Sequence, residues 1–163
     1  MAPNLAIVSL PAYFFLTLAP HVYALSIASG PTGLVKYDNR CPRAAGYLEN
    51  LRKQLTPSQF TRWERAEAAH RNGIENFPLF ASAVFACLLA DGAAAKVGLG
   101  LTAGISEETR KFIYGWFASR LVYTLIYIGT EDNRKTFLRT IVYFTGVTFC
   151  FQQFWRAANV LGN

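Results

Sequence analysis

Apolar residues gather into four stretches, separated by segments that collect most of the charge. Each stretch is near the roughly 20 residues that a helix needs to cross a bilayer. The first, Leu5 to Ser29, contains no charged residue and only His21 as a titratable imidazole. It lacks the basic flank of a signal peptide and exceeds the length of an h-region, so it reads as a retained helix. Pro11 and Pro20 lie inside it, which membrane helices tolerate where neighbours satisfy the freed carbonyls.

Residues 30–64 are polar and punctuated by Gly30, Pro31, Gly33, Pro42 and Pro57. Thr56-Pro57-Ser58-Gln59 has the form of a helix start, with Thr56 as N-cap and Pro57 at the first helical position. The second helix then begins in water, becomes apolar near Ala68 and ends around Ala90, with Asp91-Gly92 as its stop. The small-residue stretch from Gly92 to Ile105 fits either the start of the third helix or a short separate one. Ser106-Glu107-Glu108 reads as a cap followed by acidic first-turn residues. Gly129 closes the third helix, and a charged loop from Thr130 to Lys135 leads into the fourth. The pattern predicts an all-α fold, a single domain over 1–163, formed as a four-helix transmembrane bundle. Its helices cover about 5–29, 58–90, 108–128 and 136–160.

Composition supports a membrane class. Hydrophobic residues make up 52% of the 163 positions and charged residues only 16%, against about a quarter charged in soluble domains. The net charge of +6 does not describe a phosphate-binding face, because the basic residues flank apolar segments and form no run interleaved with aromatics. That distribution argues against nucleic acid as a partner. Cys41, Cys87 and Cys150 are too scattered for a disulfide framework or a metal site. No metal is expected.

The loop after the first helix carries Lys36, Arg40, Arg43, Arg52, Lys53, Arg62 and Arg65, and the loop after the third carries Arg134 and Lys135, with Arg139 at its edge. In a four-helix topology these two loops share a side, which the positive-inside rule places in the cytosol. Both termini are then lumenal.

The same topology brings the start of the second helix, the end of the third and the start of the fourth to one depth. At about 100° per residue, Arg65, Ala68, Arg71, Asn72 and Glu75 occupy roughly a third of the second helix's circumference. Glu67 and His70 point elsewhere. Arg71 and Glu75 stand at i,i+4 spacing and can pair. On the third helix Trp116, Arg120, Tyr123 and Tyr127 form one narrow stripe. An arginine two turns inside a membrane helix needs a carboxylate or a bound anion, and Glu75 is the expected partner. Arg139 and Tyr143 share a face of the fourth helix, with Thr140 beside them.

A bland reading is available for each feature: a self-satisfied polar cluster that pins helix packing, tyrosines of an interfacial belt, an arginine anchored at the membrane edge. Against it, cations, a carboxylate, an amide and phenols converge from three helices. That set suits a small zwitterionic or polyanionic ligand beside an apolar pocket. Glutathione has such chemistry, although these residues alone do not single it out.

The blocks AHRNGIENFPLF at 69–80 and SRLVYTLIYIG at 119–129, followed by Arg139 and Tyr143, resemble the membrane-associated proteins in eicosanoid and glutathione metabolism (MAPEG). The resemblance implies a four-helix membrane protein, a homotrimer, with glutathione bound between subunits toward the cytosol and the endoplasmic reticulum as its location. Residue by residue, it implies that Asn72 and Glu75 contact glutathione, supported by His70 and Arg71. Arg120, Tyr123 and Tyr127 match the third-helix contacts, Tyr143 accompanies them, and Lys36 is the nearest counterpart of a basic first-helix residue. Arg139 matches the arginine beside the glutathione sulfur, and Thr140 stands where the prostaglandin-synthase members have a serine. Ala68 departs from the family, at a position where its best-studied members carry a carboxylate-gripping arginine.

These features predict a glutathione-dependent transferase, isomerase or peroxidase acting on a lipophilic electrophile dissolved in the bilayer. Arg139 is the expected stabiliser of the thiolate, with Thr140 or Tyr127 as hydroxyl donor. Two other readings stand beside it: a tailoring isomerase or cyclase on the same scaffold, for which Ala68 leaves room, and a non-catalytic lipid-binding protein.

Overall fold

A computed structural model describes residues 3–29, 46–96, 104–132 and 136–162. Among the described residues the protein is all-helical. Helix α1 (Leu5–Ser29) runs unbroken through both of its prolines. Its buried positions, among them Ala6, Tyr13, Thr17, Ala24 and Ala28, recur every three or four residues. The stripe is narrow and made mostly of small residues, which lets α1 lie close against α3 (Pro57–Glu75). At the tightest point a side chain on Gly73 would meet Thr17 Cγ2 at 2.9 Å. The phenol of Tyr13 donates to the Gly73 carbonyl at 3.2 Å, so the glycine serves as both spacer and acceptor.

The second helix begins as expected. Thr56 caps α3 by accepting from the Gln59 amide, and the Gln59 side chain accepts from the Thr56 amide in return. The expected helix over 58–90 differs from the observed one in two ways. First, it divides at Asn76 into α3 and α4 (Phe77–Lys96). Pro78 has no N–H to offer the Ile74 carbonyl, and Asn76 caps the end of α3, its side-chain amide donating to the Asn72 carbonyl at 2.8 Å. Second, Asp91-Gly92 does not end the helix, which continues to Lys96. Asp91 is 4% exposed and accepts from the Ser106 amide and the Thr109 hydroxyl. Its charge is tied to the next helix.

That helix, α5 (Glu107–Gly129), starts at the expected cap, Ser106, whose hydroxyl accepts from the Thr109 amide. Helix α6 (Thr136–Leu161) packs against α4 and α5. Arg156 from α6 pairs with Asp91 and also donates to the Thr109 hydroxyl at 3.1 Å. One end of the fold is therefore cross-linked by an ion pair joining α4 to α6, with Thr109 of α5 bonded to both partners. A short amphipathic helix, α2 (Tyr47–Gln54), lies in the segment read as turns and loops. Its Leu51, with Leu55 beyond it, joins Phe60, Trp63 and Ala66 of α3 in a small second core. The main core gathers Tyr13, Phe80, Val84, Phe112, Ile113 and Trp116, with Phe80 stacked on Trp116 at 5.1 Å.

Among the described residues, two helical runs are long and apolar enough to cross a membrane: Leu5–Ser29 and the combined α3–α4 rod, Pro57–Ala95. Helices α5 and α6 are close to α1 in length but carry Arg120, Arg139 and Arg156 among their apolar residues.

Candidate functional site

The residues singled out on α5 and α6 meet as a zipper. Trp116, Arg120, Tyr123 and Tyr127 are spaced by four, three and four residues, which keeps them on one helical face. Arg139, Tyr143 and Gly146 do the same on α6. The helices run antiparallel, so the two sets interleave in constant register. Arg139 sets its guanidinium 4.0 Å from the Tyr127 ring centre. Tyr143 lies 5.9 Å from Tyr123, and Tyr123 lies 5.6 Å from Tyr127. The Arg120 guanidinium fills the next space, 5.0 Å from Tyr143 and 4.2 Å from Trp116. The ladder descends from the half-buried Arg139 to Arg120, 3% exposed, and Trp116, fully buried.

Aromatic faces hold Arg120 but satisfy none of its donors. All three guanidinium nitrogens are buried and make no hydrogen bond among the described residues. A cation over an aromatic face gains roughly 0.5–2 kcal/mol, which cannot offset the several kcal/mol cost of desolvating an unpaired charge. The expected partner, Glu75, does not supply the missing acceptors. It is exposed, and no ion pair joins it to Arg120 among the described residues. The expected Arg71–Glu75 pair is absent in the same sense: both side chains are exposed, and spacing alone does not hold two long chains together.

Asn72 is brought to Arg120. A narrow cleft between α1, α3 and α5 is lined by Thr17, Ala69, Asn72, Arg120, Tyr123 and Thr124. Its walls offer an amide, hydroxyls and a guanidinium edge, a donor-rich set lacking a carboxylate. Those donors suit an anionic group, and the space they enclose is only about 10 Å³, the size of one water.

The remaining predicted residues lie elsewhere. His70 turns toward α1, where its Nδ1–H donates to the Thr17 carbonyl at 2.7 Å; a carbonyl only accepts, so this nitrogen carries the proton. Its ring lies 5.0 Å from that of His21, whose Nδ1 meets Glu67 at 2.7 Å. Arg65 reaches the α5 terminus, donating to the Ile128 carbonyl and pairing with Glu131, both at 3.0 Å. Thr140 is exposed on the outer side of α6, in a shallow groove with Phe137, Ile141 and Phe144, and so turns away from the Tyr127 ring. Lys36 and Arg134 lie outside the described residues.

Sequence reasoning passed over Thr17, Asn76 and Gly146. The glycine left the clearest signal, since a helix-interior glycine costs stability unless something needs its space. A side chain there would meet Ser119 Oγ at 2.8 Å and Arg120 Nη2 at 2.9 Å.

The chain matches no curated protein and no solved structure. The model of the MAPEG family matches it over residues 6–159, nearly its full length. That family comprises membrane-associated proteins of glutathione-related transferase and isomerase chemistry, consistent with the two spanning runs. The ladder of Arg139, Tyr127, Tyr123, Tyr143 and Arg120 falls within the matched residues, and by this match the chain belongs to the MAPEG family.

Proposed function

We propose that the protein is a glutathione-dependent transferase or isomerase embedded in the endoplasmic reticulum membrane, acting on a lipophilic electrophile at a site that faces the cytosol. The observation that carries this reading is Arg120: a buried guanidinium whose three nitrogens have no partner among the described residues, beside Asn72 in a donor-rich cleft. A buried cation held in this way is a receptor for an anion.

Arg120 and Asn72 bind the polar body of glutathione, and Tyr123 and Tyr143 shape the walls around it. Arg71 and Glu75, exposed on the outer face of α3, serve a site completed by a neighbouring subunit in a homotrimer of four-span bundles. Glutathione supplies a thiol, which at an ordinary pKa of about 8.5 is mostly protonated at neutral pH. Arg139, half-buried and without an ion-pair partner among the described residues, favours the ionised sulfur. Tyr127 fixes that cation by stacking beneath it and is the candidate hydroxyl donor to the electrophile, Thr140 facing the outer groove of α6 instead. The apolar, aromatic-rich outer face of α6 presents the lipophilic substrate.

Calorimetry of the detergent-purified protein with glutathione, followed by a conjugation assay with an aryl halide, tests the reading. Binding heat and turnover are expected, and Arg120→Gln should remove most of the affinity. If the wild type shows neither heat nor turnover, the tailoring reading replaces this one. Ala68, half-buried in the wall where the family's better-known members place an arginine, is the residue that favours it.

A further inference from the structure

The Arg120 side chain makes no hydrogen bond among the described residues, so something other than donor geometry must determine where its guanidinium lies. Three aromatic faces restrict it, at 4.2 Å from Trp116, 5.0 Å from Tyr143 and 5.8 Å from Tyr123. The remaining boundary is the backbone of α6 at Gly146, which is buried. A Cβ built there would stand 2.9 Å from Arg120 Nη2 and 3.4 Å from its Cζ. The guanidinium therefore occupies the volume that a side chain at position 146 would fill. The Ser119 hydroxyl bounds the same slot, 2.8 Å from that Cβ, and is held by donating to the Trp116 carbonyl at 2.7 Å.

We propose that Gly146 is the positioning residue of the Arg120 anion site. Its missing side chain is the slot that seats the guanidinium between Trp116 and Tyr143 and leaves its free edge for a carboxylate. Gly146 touches no ligand and acts only through Arg120. The inference rests on the reading of Arg120 as a glutathione contact, and it names what makes that contact possible. Both neighbours at risk are side-chain ends, the Ser119 hydroxyl and the Arg120 guanidinium, so a residue larger than glycine displaces them before it separates the helices, and a Ser119→Ala background isolates the effect on Arg120.

The test uses the full chain in detergent, with glutathione affinity measured for the wild type, Gly146→Ala, Arg120→Gln and the double variant. Each single change should weaken binding by roughly tenfold or more, the scale of a lost charge-assisted contact. The double variant should bind no more weakly than Arg120→Gln alone, since both changes remove one contact. Adding Arg120→Lys to Gly146→Ala should recover part of the affinity, because the slimmer ammonium fits beside the new methyl group. Independent losses that add, or wild-type affinity in Gly146→Ala, would overturn the proposal.

A second readout needs no ligand. In a Trp63→Phe, Trp155→Phe background, Trp116 alone reports the cation over its ring, so Gly146→Ala should shift its emission to match that of Arg120→Gln. An unchanged spectrum refutes the positioning role even if glutathione binds nowhere, and a shifted one sustains it while the glutathione reading fails. Should Gly146→Ala not fold, Arg120→Gln must restore folding once Ser119→Ala has removed the other close contact; continued misfolding in that background also refutes the slot.

Discussion

The Arg139 guanidinium carbon stands 4.0 Å from the centre of the Tyr127 ring, the shortest cation–ring approach among the described residues. The ring takes up one face of the cation and leaves its edge, with the N–H donors, open. Arg139→Ala should lower turnover by on the order of a hundredfold, the scale of losing a preorganised charge stabiliser, while glutathione affinity changes severalfold at most. Steady-state rates beside calorimetric affinities separate the two effects. Unchanged turnover would remove Arg139 from the chemistry.

Tyr127→Phe and Tyr127→Leu divide the roles of the phenol. The phenylalanine keeps the platform beneath Arg139 and removes only the hydroxyl; the leucine removes both. If Tyr127 acts as a platform, phenylalanine stays within a few-fold of wild-type rate and leucine falls toward Arg139→Ala. If it acts as a donor, the two variants fall together.

Asp91 is 4% exposed and its paired Arg156 is 21% exposed at the side chain, so removing either leaves the other without its counterion. Arg156→Ala should destabilise the protein by about 3–5 kcal/mol, the usual cost of orphaning a buried charge. Thermal unfolding in detergent reads this loss. Asp91→Asn combined with Arg156→Gln should cost clearly less than the two single losses added.

Gly73→Ala places a methyl group 2.9 Å from Thr17 Cγ2, a contact that must push α1 from α3. A loss of about 1–3 kcal/mol is expected from overpacking. Thr17→Ser deletes the offending methyl, keeps the hydroxyl that bonds the Phe14 carbonyl, and should recover part of the loss. Additive destabilisation in the double variant would place the strain elsewhere.

Asn76→Leu removes the amide that caps the end of α3 by donating to the Asn72 carbonyl. About 1–3 kcal/mol should be lost, as expected where a buried bond is broken. Glutathione affinity should fall with it, because Asn76 also lies 3.4 Å from the Asn72 side-chain oxygen. Unchanged affinity in a destabilised protein would confine Asn76 to the scaffold.

Local chemistry was readable where it is written in adjacent residues. Thr56 with Gln59, and Ser106 with Thr109, cap their helices because a cap needs only its own first turn. The α5 stripe was readable too, since helical spacing fixes which residues share a face. What lies opposite a face is a matter of tertiary packing, and there the reading erred. Arg120 was assigned Glu75 and instead met Trp116, Tyr143 and the bare backbone of Gly146. Asp91 resembled a stop signal because its partners, Ser106, Thr109 and Arg156, lie 15, 18 and 65 residues away in the chain. Helix α2 escaped notice because its signal is one amphipathic turn pair, made stable by packing Leu51 onto the second core.

The α3–α4 rod comprises 39 residues, about 58 Å at 1.5 Å per residue, whereas hydrocarbon is only about 30 Å thick. Nearly half of its length must stand clear of the lipid. Measured back from Ala95, the hydrocarbon is spanned after about 20 residues, close to the Asn76 break. Asn72 then sits one turn beyond, where acyl chains give way to headgroups and water. On the function proposed above, the rod's excess length would let a water-soluble peptide reach Asn72 without crossing oil while a lipid-dissolved molecule arrives along α6.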